Sequence, residues 1–219
     1  MADDNGNVLN DIAPGSVRRV HLVGVAGTGM GSFAGLLKAE GYEVTGSDQN
    51  VYPPMSDMLH AWGIEAMTPY AAENLDRARP DLVIIGNVIR RVNPEATAVR
   101  ERGLPQTSFP AAFGSLLIRD RHSVVIAGTH GKTTTSALMA HVLTDAGTDP
   151  TFLVGGVTLN YDGNFRHGEG RYVVVEGDEY DTAYFDKGPK FLHYRARSAM
   201  LTSVEFDHAD IYTDMAHYE

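Results

Sequence analysis

The 219-residue sequence predicts an α/β protein built from parallel sheets with helices on both faces, in two consecutive units. Three observations carry that expectation. Short β-branched apolar runs recur along the chain, helix-length segments fall between them, and glycine turns stand where a run hands over to a helix. Ligands of such sheets gather at the carboxyl ends of the strands.

The elements follow in order. Residues 1–16 are polar and lack the basic and apolar stretches of a leader, so a disordered tail is expected. Val20-His21-Leu22-Val23-Gly24-Val25 reads as a buried strand, and a helix carrying Phe33, Leu36 and Leu37 stops at Gly41. Tyr42–Asp48 is a second strand, ending on an acid, and Asp81–Gly86 is a third. Helices are expected over Pro94–Arg102, with proline in the first turn, and over Pro110–Ile118. The basic segment Arg119-Asp120-Arg121-His122 marks the boundary between a unit over 17–121 and one over 122–219. Val124-Val125-Ile126-Ala127 then leads, through a glycine turn, into a helix with Leu138, Met139, Val142 and Leu143 on its apolar side, ending near Gly147. Thr151–Val154, Tyr172–Glu176 and Ala199–Thr202 complete the strands.

Composition narrows the function classes. The chain is 43% hydrophobic and 21% charged, as in a soluble globular protein, with 23 glycines falling largely at turns. A formal charge of −10 and the lack of a basic stripe argue against a nucleic-acid partner. Without cysteine there is neither disulfide nor thiolate metal site, which fits the cytoplasm. No apolar segment approaches the roughly 18 residues of a membrane span. Nothing in the sequence sets an oligomeric state.

Gly128-Thr129-His130-Gly131-Lys132-Thr133-Thr134 is the most informative motif. A strand, a glycine turn and a helix start surround one point with backbone N–H groups and the positive end of a helix dipole, which suits phosphate. Lys132 is expected to reach the β/γ-phosphates, and the Thr133 hydroxyl to sit on Mg²⁺. The standard pattern would have glycine at position 126, where this chain has Ile126. Downstream, Glu176 with Asp178, Glu179 and Asp181, then Asp207, His208 and Asp210, lie at successive strand ends. Singly, each also reads as a solvated loop residue; their grouping behind a lysine-bearing phosphate loop is what suggests oxygen ligands for Mg²⁺, with one imidazole added.

A second glycine string, Gly24-x-x-Gly27-x-Gly29-x-Gly31, follows the first strand and suits a diphosphate, with Asp48 positioned to accept from a ribose hydroxyl. The dinucleotide pattern G-x-G-x-x-G does not occur, so a diphosphate ligand other than a nicotinamide dinucleotide fits better.

These segments resemble the Mur ligases, the ATP-dependent amide ligases of bacterial peptidoglycan. Gly24–Gly31 resembles the family's uridine-diphosphate loop, Gly128–Thr134 its G-T-x-G-K-T ATP loop, Glu176–Asp181 its metal-binding acidic segment, and Glu205–Asp210 its D-H-x-D segment. The resemblance implies a Rossmann-like domain with a parallel sheet, binding a UDP-sugar through Gly24, Gly27, Thr28, Gly29, Met30, Asp48 and Asn87. It implies next an incomplete P-loop-type α/β ATPase domain, binding ATP through Gly128, Thr129, His130, Gly131, Lys132, Thr133 and Thr134. Thr133, Glu176 and His208 would serve Mg²⁺, and Lys132, Glu176 and His208 catalysis. The family's third, C-terminal domain is expected to lie beyond this sequence.

In the family, the lactyl carboxylate of UDP-N-acetylmuramate attacks the γ-phosphate of ATP, and an amine then takes the acyl group. Val51–Ser56, Ile85-Gly86-Asn87 with Asn93-Pro94, Tyr184–Lys187 and Phe206–Asp210 resemble the branch whose amine is the murein tripeptide L-alanyl-γ-D-glutamyl-meso-diaminopimelate. The branch that adds L-alanine would carry a serine pair near Gly86-Asn87 and Ser in place of Tyr180. L-Alanine therefore stands as the alternative amine, and a UDP-sugar binder without ligation as the alternative for this chain taken alone.

Overall fold

The computed structural model describes residues 5–13, 15–161 and 163–205. The chain divides into two compact units, one running to Leu117 and taking in Thr182–Asp186, the other holding Ile118–Asp181 and continuing from Lys187.

The first unit alternates β1 (Arg19–Val23), α1 (Thr28–Ala39), β2 (Glu43–Ser47), α2 (Met55–Ala61), β3 (Glu65–Met67), α3 (Ala72–Ala78), β4 (Leu82–Ile85), α4 (Pro94–Glu101) and β5 (Gln106–Ser108). The strands form one sheet in the order β3-β2-β1-β4-β5, with every pairing parallel. β1 is central because Val20, Leu22 and Val23 are apolar on both faces and almost fully buried. Val23 pairs with Ser47 on one side and Ile85 on the other, so β1, β2 and β4 end level at one edge. The chain direction across the sheet reverses between β1 and β4, the position where such sheets open a crevice.

Three expectations change here. The short strands β3 and β5, three residues each, were not anticipated. The helix expected over Pro110–Ile118 is a four-residue α5 (Phe109–Ala112) that widens into a π-helical segment, Phe113–Ile118. The expected tail is ordered over its described part: Val8 bridges Gln106, the Leu9 N–H donates to the Gln106 carbonyl at 2.8 Å, and Ile12 is 3% exposed. β5 is the sheet's edge strand, and its open N–H and C=O groups pair with the nearest extended chain.

The second unit holds β6 (His122–Ala127), α6 (Lys132–Asp145), β7 (Thr151–Thr158), β8 (Gly163–Arg166), β9 (Tyr172–Gly177), a 3₁₀ turn (Lys190–Tyr194) and β10 (Ser198–Leu201). Its sheet order is β10-β6-β9-β7-β8, parallel except for the β7–β8 hairpin. Val124, Ile126, Phe152, Val154 and Val174 make its core with Ala140 of α6. Met139 and Leu143 pack against that core as expected. Leu138 and Val142 do not: they are 61% and 52% exposed, and the helix instead turns Ser136 and Ala140 inward. Small residues let the helix lie close to the sheet that its own glycine loop joins.

Candidate functional site

In the first unit, β1 runs into Gly24, held at φ +94°, and the loop reaches Gly27, the N-cap of α1. Ser47 at the end of β2 anchors this loop, its carbonyl accepting from the N–H groups of Gly24 (2.8 Å) and Val25 (3.1 Å). No side chain caps α1 and no acid lies in its first turn, so the N–H groups of Thr28, Gly29 and Met30 have no intrahelical acceptor. Gly29 lies in this first turn. A Cβ added there would meet no atom within 4 Å, so packing does not require glycine. Glycine in a helix costs up to about 1 kcal/mol relative to alanine, which close approach of a ligand would justify.

The predicted residues fall unequally around this point. Gly24, Gly27, Thr28 and Gly29 form the loop and helix start. Met30, a residue only 8% exposed, could offer little besides its backbone. Asn87 is exposed in the turn after β4, the strand beside β1. Asp48 behaves differently from expectation: Oδ2 accepts the Ala26 N–H at 2.9 Å, while Oδ1 accepts the Gln49 N–H at 2.7 Å and the Tyr70 hydroxyl at 3.1 Å. Most of its acceptor capacity is thus spent inside the protein, leaving at most one position for a ribose hydroxyl. Burial, reinforced by the Asp48 charge, raises the Tyr70 phenol well above its usual range and keeps it a donor.

In the second unit, β6 runs into Gly128 (φ +125°), and Gly131 (φ +82°) caps α6. A Cβ at Gly128 would fall 2.4 Å from the Thr202 hydroxyl, so here both backbone and packing require glycine. The loop is braced by the segment after β10. The Thr129 N–H donates to the Ser203 carbonyl (3.0 Å), the Thr129 hydroxyl exchanges bonds with the Glu205 backbone (2.9 Å each way), and the His130 N–H donates to Ser203 Oγ (3.0 Å). Thr129 and His130 therefore shape the loop, and the N–H groups without an intrahelical acceptor are those of Lys132, Thr133 and Thr134.

Two acids engage the motif's side chains. Lys132 Nζ donates to the Gly128 carbonyl (2.7 Å) and to Glu179 (2.9 Å to Oε2, 3.2 Å to Oε1), a pair with little solvent exposure. Thr133 Oγ1 donates to Glu176 Oε2 at 3.1 Å, and the Gly155 N–H donates to Glu176 Oε1. Glu176 sits within β9, opposite Ile126, rather than beyond the strand end. Burial raises its carboxyl above the ordinary value, against the lowering effect of the Gly155 and Thr133 hydrogen bonds. A carboxylate short of hydration beside a hydroxyl is a hard-oxygen pair that suits Mg²⁺, which needs few protein ligands. Among the described residues no group of three Asp, Glu or His side chains is placed to hold a metal ion. His208, Asp207 and Asp210 lie outside the described residues.

Glu179 as the partner of Lys132 was not singled out by sequence reasoning, although the acidic segment containing it was. Nor was Lys190, which is 7% exposed, donates to Asp178 Oδ2 at 2.9 Å and stands 3.9 Å from the centre of the Tyr180 ring. It holds the acidic segment from behind.

Comparison with known proteins follows the same two-unit division. The profile of the "Mur ligase family, catalytic domain" matches residues 19–121, and that of the "Mur ligase middle domain" matches 126–219. The UDP-N-acetylmuramate–L-alanyl-γ-D-glutamyl-meso-2,6-diaminoheptandioate ligase of Escherichia coli K12 is 47% identical over 197 residues, covering 90% of this chain but 43% of the relative. The solved structure of the corresponding ligase from Neisseria meningitides superposes with a TM-score of 0.87 at 40% identity, over 92% of this chain and 65% of that one. The UDP-N-acetylmuramate–alanine ligase of Thermotoga maritima gives 0.78 at 30% identity, over 92% of this chain and 45% of that one. The chain thus spans less than half the length of the curated relative. With both profiles matched in succession, the chain belongs to the Mur ligase family.

Proposed function

We propose that this chain carries the UDP-sugar domain and the ATP loop of a ligase that joins L-alanyl-γ-D-glutamyl-meso-diaminopimelate to UDP-N-acetylmuramate, in the cytoplasm. The observation that carries the reading is the paired state of the proposed ATP loop: Lys132 against Glu179 and Thr133 against Glu176, at a helix start with no side-chain cap. The tripeptide is favoured over L-alanine by the relatives, 47% identical for the tripeptide ligase against 30% for the alanine ligase structure.

The chemistry fits these residues. A carboxylate and a triphosphate repel each other, so the site must neutralise charge before they meet, and little covalent work remains for side chains. Lys132 would turn from Glu179 to the β/γ-phosphates, with the Lys132, Thr133 and Thr134 N–H groups around them. Thr133 and Glu176, joined by His208, would hold Mg²⁺, which supplies charge neutralisation when bound. The first unit's loop would fix the diphosphate of the sugar nucleotide, so that positioning contributes up to about 7–11 kcal/mol once the reacting atoms are aligned.

The test is amide formation by the complete protein from ATP, UDP-N-acetylmuramate and either amine. Product with the tripeptide and not with L-alanine supports the proposal, whereas the reverse preference assigns the alanine branch. The chain studied alone should bind UDP-N-acetylmuramate; failure to bind the sugar nucleotide would sink the reading of the first loop.

A further inference from the structure

Asp48 is better explained as part of the loop's scaffold than as a group turned to the ligand, and its orientation depends on a residue from another element. Asp48 leaves β2 with its own N–H donating to the Met67 carbonyl at the end of β3 (3.0 Å). Its carboxylate then bridges two places: Oδ2 takes the Ala26 N–H of the glycine loop (2.9 Å), and Oδ1 takes the Gln49 N–H next in the chain (2.7 Å) and, from another element, the Tyr70 hydroxyl (3.1 Å). Tyr70 lies between β3 and α3, its ring packed against the cluster containing Leu75, Ile89 and Val99. The half-buried ring is therefore held against the core and the hydroxyl has a fixed origin. A carboxylate held at Oδ1 both by the adjacent Gln49 N–H and by a phenol packed against the core cannot rotate freely about its side-chain bond, so the other oxygen stays on Ala26.

We infer that Tyr70 is a positioning residue for the sugar-nucleotide diphosphate: through Asp48 it fixes the Ala26 N–H, and so the loop whose continuation, Thr28–Met30, offers the open N–H groups. This rests on the reading of that loop as a UDP site. It places the contribution of Asp48 on diphosphate geometry, with ribose recognition secondary.

The test is Tyr70→Phe, which keeps the ring and its packing and removes only the hydroxyl. Titration with UDP should give a dissociation constant about tenfold above wild type, the scale of losing one hydrogen bond to a charged group. ATP affinity should be unchanged, and the melting temperature should stay close to wild type. Amide hydrogen exchange gives a readout independent of ligand: the Ala26 N–H should exchange faster in Tyr70→Phe while the β1 amides keep their protection. UDP affinity equal to wild type overturns the inference, whatever the exchange data show, as does weakened binding with Ala26 exchange unaltered or with β1 protection lost. If wild type itself does not bind UDP, the reading of the loop fails and takes this inference with it.

Discussion

Lys132 and Glu176 answer one electrostatic problem from opposite sides. On the proposed reading Lys132 would supply a cation for phosphate, and its replacement by alanine in the complete protein should lower turnover about 10²-fold or more, the scale of removing one charge-stabilising donor. A steady-state assay at saturating substrates checks this, and near-normal turnover would remove Lys132 from the ATP loop. Glu176 is an anion kept short of water, with its carboxyl raised by burial. Ionising it costs more in the folded than in the unfolded state. Its contribution to stability is therefore fully present below the unfolded value, about pH 4, and is lost as pH rises through the folded one. Glu176→Gln should accordingly melt higher than wild type at pH 7–8, with the difference closing toward pH 4. Mg²⁺ should raise the wild-type melting temperature more than that of the variant. Thermal melts with and without Mg²⁺ at both pH values test this, and a variant less stable than wild type at pH 8 would overturn it. Both residues were legible in the sequence because the first belongs to a contiguous motif and the second closes a β-branched run. Glu179 and Tyr70 were not legible as partners, because their bonds to Lys132 and Asp48 span 47 and 22 positions.

At the scale of elements, local chemistry foretold well what local forces control. The strand–glycine–helix order of β1–α1 and β6–α6 follows from backbone preference at a few adjacent residues, and Pro94 at the start of α4 is joined there by an Asn93 side chain that caps the helix. The inward face of α6 was misread in part. Its sequence has apolar residues at both 138/142 and 139/143, and periodicity alone cannot choose between adjacent stripes. Contact with β6, β7 and β9 makes the choice, bringing Ala140 to 0% exposure. Ala140→Leu should then cost about 1–3 kcal/mol by overpacking, while Leu138→Ala should stay within about 0.5 kcal/mol. Chemical denaturation of the two variants decides it; a larger loss for Leu138→Ala would reverse the assigned face. The ordered segment 5–13 is a second case, since its polar composition gave no sign that an edge strand would recruit it.

For the whole molecule, the two compact units each carry one glycine loop, and the proposed ligands should report on them separately. Saturating UDP at about 100 times its dissociation constant should stabilise the first unit by about 2.7 kcal/mol, slowing exchange of the β1, β2 and β4 amides. ATP should instead slow exchange in β6 and β9. Hydrogen exchange with mass detection checks both, and protection of β6 and β9 alone by UDP would reverse the assignment of the loops. The sequence by itself determined the fold class, the two glycine loops and the family, because each is written in contiguous residues whose backbone preferences act over a few positions. Tertiary structure alone decided the face of α6, the docking of residues 5–13 and the pairing of Lys132 with Glu179. It alone also turned Asp48 inward onto Ala26 and Tyr70. Those outcomes depend on which distant groups meet when desolvated, and a buried donor or acceptor must take whatever partner the packed chain brings within reach.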